Sequence, residues 1–127
     1  LQSQYVGTLQ ARLGPLTRDT LATLMTTMVS DLGGANGRRQ LARYELFNEG
    51  VRRPELRPLI AEMQSGALRF ARIILEAAGL TPSDEQVGEM ARLLNGLAYS
   101  NLTYTADQPG REDLAGLIER LLTTVFG

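Results

Sequence analysis

Apolar residues three and four positions apart recur along most of this chain, and that spacing constrains the fold more than any other feature. Leu21, Leu24, Met25, Met28, Val29 and Leu32 follow i, i+3, i+4, i+7, i+8, i+11. Such a series gathers on one side of an α-helix and would scatter over both faces of a strand. The strict alternation of a half-buried strand is missing throughout. The chain is therefore expected to be all-α, an orthogonal or antiparallel bundle of about six helices.

Local punctuation places the helices. Thr17 suits an N-cap and Gly33-Gly34 a stop, and the polar run "GGANGR" reads as the turn to a second helix from about Arg38 to Arg52, with Leu41, Tyr44, Phe47 and Val51 on one side. Pro54 ends that helix, because the residue before a proline avoids helical geometry and proline suits a first helical turn. Pro58 lies in the first turns of the next helix or marks a later start; the sequence leaves both open. Met63, Ala67, Phe70 and Ile74, widened by Leu59, Ala71, Leu75 and Ala78, predict the longest and most buried helix. Gly79 supplies a left-handed stop, after which either Thr81 with Pro82, or Ser83 paired with Gln86, opens a helix reaching about Tyr104. "TADQPGRED" is a loop, and Leu114, Leu117, Ile118, Leu121, Leu122 and Val125 form the last stripe. Tyr5, Leu9 and Leu13 suggest a further helix at the start, ended by Gly14-Pro15, with no capping residue before it. That abrupt start predicts that the chain is the remainder of something longer.

With 127 residues, 43% apolar and 21% charged, the chain is read as one globular domain spanning 1–127. It contains neither cysteine nor histidine, which removes disulfides, thiolate nucleophiles, the usual general base and the commonest metal ligand. Asp84-Glu85 and Glu112-Asp113 open helices, where acids favour the positive end of the helix dipole, so they read as capping rather than as a catalytic pair. No enzyme activity, cofactor or metal is expected. All thirteen basic residues are arginine against fourteen acids, so the net charge of −1 gives no general pull toward nucleic acid. Arg43, Arg52, Arg53 and Arg57 are interleaved with Glu45, Glu49 and Glu55 at helix-pair distances, the pattern of a solvated charged face. The apolar runs fall far short of the roughly 20 residues that span a bilayer, and a soluble, cytoplasmic protein without membrane partners is expected.

Three strings are less generic. "LARYELFNEGVRRPELRPLIAEM" resembles the central segment of the regulatory domain of TetR-family transcriptional regulators, where an aromatic-bearing helix ends at an "RRPELR" type turn before a long helix. "ARLLNGLAYSNL" resembles that family's penultimate helix, and "LAGLIERLLTTVF" is similar to its last. The resemblance implies a C-terminal ligand-binding and dimerisation domain. It also implies that operator DNA is contacted only by an N-terminal helix-turn-helix, which this chain lacks.

From the resemblance, the last two helices pair with their copies across a two-fold axis to make a homodimer, with Met90, Leu94, Leu97, Leu114, Leu117, Ile118, Leu121, Leu122 and Val125 as interface candidates. Spacing alone fits a monomer core about as well. Gly96 fits close helix approach. The helices around the family's ligand cavity carry Met25, Met28, Tyr44, Phe47, Met63, Phe70, Asn95 and Tyr99, mostly apolar groups with a few polar ones, as expected for a small, largely apolar effector. Asn95 and Tyr99 stand out because a polar atom on an apolar helix needs a partner. The competing expectation is a helical protein-interaction module with a filled core and no effector.

Overall fold

The computed structural model describes the backbone at residue 11 and at residues 14–30, 34–103 and 111–127. Among these are five helices: α1 (Arg18–Ser30), α2 (Gly34–Arg52), α3 (Arg57–Ala77), α4 (Asp84–Thr103) and α5 (Arg111–Phe126), with a 3-10 turn at Pro54–Leu56 between α2 and α3. The all-α expectation holds. The helix expected around Tyr5, Leu9 and Leu13, together with Leu32, Gly33 and the 104–110 loop, lies outside the described residues.

The helix ends follow from side-chain chemistry. At the start of α1 the Thr20 amide donates to the Thr17 hydroxyl at 3.3 Å, while the Thr17 amide donates to the Thr20 hydroxyl at 2.6 Å. Two donors that the helix leaves unpaired are thus satisfied reciprocally. Ser83 and Gln86 do the same at the start of α4, at 2.9 and 3.1 Å, which settles the choice of cap in favour of Ser83. Gly79, at φ +87°, closes α3: the Leu80 amide reaches back to the Leu75 carbonyl at 3.1 Å and the Gly79 amide to that of Glu76 at 3.0 Å.

Both prolines act as helix openers. Arg53 is extended (φ −124°, ψ 91°), Pro54 then begins the 3-10 turn, and Pro58 sits in the first turn of α3 where no intrahelical donor is lost. α2 begins at Gly34, earlier than the expected Arg38. "GANG" has poor helix propensity, but Gly37 is buried, so packing outweighs the backbone preference.

α1 packs on both α4 and α5, which pack on each other; α3 joins through α4, and α2 joins chiefly through the turn and α3. The core is built from Leu21, Leu24, Met25 and Val29 of α1, Ile74 and Leu75 of α3, Val87 and Met90 of α4, and Leu114, Ile118, Leu122 and Val125 of α5. Among the described residues the one buried polar side chain, Thr26, donates to the Ala22 carbonyl at 2.7 Å. A hydroxyl bonded to its own helix adds no unpaired group to the interior.

Two expectations about burial are corrected. α3 is the longest helix but not the most buried: only Ile74 and Leu75 are fully enclosed, while Leu59 is 49% exposed and Ala67 is also exposed. α4 covers the second half of the α3 stripe and leaves the first half open. The most enclosed helix is instead the short α1, held between α4 and α5. On α2, Tyr44 is buried as expected, but Leu41 is exposed and Val51 is 76% exposed, so the stripe read from the sequence is only partly covered. Close contact with α3 comes at Gly50, where a Cβ would stand 2.2 Å from Ile60 Cδ1. Only a glycine allows that approach without moving Ile60.

Candidate functional site

α2 carries one large buried side chain among those described, Tyr44, and it lies outside the continuous core. Its hydroxyl donates to Asn95 Oδ1 at 3.1 Å, with the Asn95 backbone carbonyl a second acceptor at 3.4 Å. Its ring meets that of Tyr99 edge to face, centroids 5.0 Å apart and planes 88° apart. This geometry places the positive ring edge on the negative face and contributes about 1 kcal/mol beyond simple burial. Asn95 and Tyr99 are four residues apart, hence on one side of α4, whereas Met90, Leu94 and Leu97 turn toward the core. α4 is thus gripped from two sides.

Burial raises the Tyr44 hydroxyl above its ordinary pKa, Arg43 pulls the value back down, and Tyr99 adds a further rise. The net shift is upward, so the phenol stays neutral and remains a hydrogen-bond donor. Arg43 itself lies over the Phe47 ring at 5.4 Å, a cation-π contact on the adjoining part of α2.

Of the eight residues expected to line a ligand cavity, the structure brings Tyr44, Asn95 and Tyr99 into contact. Phe47, Met63 and Phe70 are half-buried, and Phe70 packs against the core. The remaining two fall elsewhere: Met25 is a packed core residue and Met28 is exposed on α1. Helical spacing placed both on the same stripe, but α4 and α5 enclose only part of it.

A separate open cleft of about 370 Å³ lies between α1 and α5, lined by Arg18, Asp19, Ala22, Glu119, Leu122, Thr123 and Gly127. None of the eight expected ligand contacts lines it. Sequence reading missed this place because Arg18 and Gly127 are 109 residues apart and no local motif joins them. Some charged groups elsewhere form ion pairs. Arg52 bonds Glu49 at 2.7 Å and Arg53 bonds Glu55 at 2.9 Å, both well exposed, which is the solvated face read from the sequence. The Glu55 carboxyl is held below its ordinary range first by its own backbone amide and then by Arg53. Arg72 ties α3 to the start of α4 through the Pro82 carbonyl at 3.1 Å and through Asp84. Among the described residues no group of acids is placed to hold a metal ion, and no helix is long and apolar enough to cross a membrane.

Residues 16–124 match the model of the tetracyclin repressor-like, C-terminal domain family. The chain belongs to this family. No curated protein and no solved structure matches it. Membership makes the chain a C-terminal domain of the transcription-regulator type, a class whose members combine ligand binding with dimerisation.

In a tetracyclin repressor-like domain the apolar faces of α4 and α5 take on a second interest. Met90, Leu114, Ile118, Leu122 and Val125 are buried within one chain, so their surfaces are already used. Leu93, Leu94, Leu97, Leu117 and Leu121 are only half-buried. Among the described residues nothing lies within 4 Å of a Cβ built on Gly96 or Gly116, so no described neighbouring helix of the same chain makes the close approach expected at Gly96.

Proposed function

We propose that this domain is the effector-sensing and dimerising part of a DNA-binding regulator, and that a small, largely apolar effector binds between α2, α3 and α4. The observation that carries this reading is the attachment of α2. It holds to α4 through Tyr44 and to α3 near Gly50 and Ile60, while half-buried Phe47, Met63 and Phe70 supply apolar surface beside it. None of the described core residues comes from α2, so this helix can change position without unpacking the α1, α4 and α5 core. The effector shifts the population between two dispositions of α2, and coupling of about 1–3 kcal/mol is enough to alter operator affinity several-fold or more. The reader would be a helix-turn-helix upstream of residue 1, and the setting cytoplasmic.

The same reading assigns homodimerisation to α4 and α5, using the half-buried Leu93, Leu94, Leu97, Leu117 and Leu121 and the open surface at Gly96. Thermal shift against a panel of apolar compounds tests the effector. A compound that raises the melting midpoint of the wild-type chain and has no effect on a Met63→Asp variant supports binding between these helices. A panel that raises neither midpoint, or a rise unaffected by the Met63 charge, contradicts it.

A further inference from the structure

We infer that the corner formed by Asn95 and Tyr99 on α4 is a subsite for a hydroxylated aromatic ring, and that in this state the chain's own Tyr44 occupies it. The inference rests on the reading of α2 as the effector-responsive helix and adds the chemical class of the effector. Each element of the corner is something a phenol uses. Asn95 Oδ1 accepts the hydroxyl at 3.1 Å, its backbone carbonyl stands behind at 3.4 Å, and the Tyr99 ring packs edge to face with the occupant's ring, centroids 5.0 Å apart.

Both partners remain reachable from outside. Tyr99 is 46% exposed and Asn95 is exposed, even with Tyr44 in place. Tyr44 is not tied into the continuous core, so its departure leaves Leu21, Ile118 and their neighbours packed. The neutral state of its hydroxyl also matters: both atoms it faces on Asn95 are acceptors, so the occupant of this arrangement donates. A ligand with an aromatic ring and one hydroxyl meets both requirements. Its binding displaces Tyr44 and frees the middle of α2, so occupancy is converted into helix position.

The competition gives the test its form. An internal occupant lowers the apparent affinity of an external one by the fraction of time the corner is empty. 4-Methylphenol, the side chain of tyrosine as a free molecule, is titrated into wild type and into a Tyr44→Ala variant by calorimetry, with toluene as the hydroxyl-free control. The variant is expected to bind 4-methylphenol about tenfold tighter than wild type, and toluene severalfold more weakly than 4-methylphenol. Adding Asn95→Ala is expected to abolish that preference. Equal 4-methylphenol affinity for wild type and variant, or equal affinity of the variant for the two compounds, overturns the inference.

Tyr44→Phe keeps the ring and removes only the donated hydrogen bond, so it gives a reading that does not depend on the truncated variant folding. It is expected to gain severalfold in 4-methylphenol affinity over wild type, and no gain counts against the proposal. The outcomes separate the two readings. If hydroxyl-free compounds raise the wild-type midpoint while Tyr44→Ala gains nothing for 4-methylphenol, the effector reading stands and the phenol subsite falls. If 4-methylphenol fills the vacated corner while no compound stabilises wild type, the subsite stands and the effector reading falls.

Discussion

The Arg18 guanidinium donates to the Gly127 carbonyl at 2.6 Å and reaches the Thr123 hydroxyl at 3.4 Å, joining the first turn of α1 to the last turn of α5. α5 has no basic residue in its own last turn, and its terminal carbonyls carry the negative end of the helix dipole. Arg18 supplies the missing positive charge from another helix. The Gln86 side-chain amide helps by donating to the Val125 carbonyl at 3.1 Å.

Replacing Arg18 by alanine removes both contacts and leaves the carbonyls to water. Because the site is partly exposed, the expected loss is about 1 kcal/mol, and urea denaturation reads it as a lower midpoint with an unchanged slope. A fall several times larger would mean that α1 docks on α5 mainly through this contact and not through apolar packing.

Ile118 and Leu59 share one kind of apolar spacing but differ in burial, 0% against 49% exposed. Ile118→Ala opens a hole among Leu114, Leu122 and their neighbours and is expected to cost about 3 kcal/mol, whereas Leu59→Ala should cost under about 1 kcal/mol. Equal losses would place a cover over the first half of α3.

The raised pKa of Tyr44 gives a stability dependence of definite sign. The neutral phenol is favoured in the folded chain, so its contribution is fully present below the ordinary tyrosine value of 10.0 and is lost as pH rises through the higher folded value. Wild type is therefore expected to lose stability above about pH 10 more steeply than Tyr44→Phe, as measured by chemical denaturation across that range. Parallel curves would show that Tyr44 ionises as freely in the folded chain as in the unfolded one.

Light scattering addresses the assembly. The wild-type chain is expected to run at twice its 13.9 kDa monomer mass. Leu121→Asp sets a charge on a half-buried position of α5 and is expected to return it to monomer, since an unpaired charge inside an interface core is strongly unfavourable. A mass at 13.9 kDa for wild type would remove dimerisation by this fragment.

The α-helical class, the Thr17 and Gly79 boundaries and the Pro54 break were legible because each depends on residues within one turn of each other. Burial was less so. The stripe through Leu59, Met63, Ala67, Phe70 and Ile74 looks uniform in sequence, yet a neighbouring helix covers only its second half, and periodicity holds no information about where a neighbour stops. The start of α2 was misplaced for the opposite reason, since burial of Gly37 outweighed a local preference against helix. At the candidate site, Asn95 and Tyr99 were singled out as polar groups in need of a partner. That the partner is Tyr44, 51 residues earlier, is a fact of packing that no local pattern encodes.

α2 packs apart from the α1, α4 and α5 core, and native-state hydrogen exchange reads that independence at individual amides. Amides from Tyr44 to Gly50 are expected to exchange through local opening, with protection at least about tenfold below that of Leu21, Ile118 and Leu122. Protection of α2 equal to that of α1 and α5 would contradict it, because α2 would then open only when the whole domain unfolds.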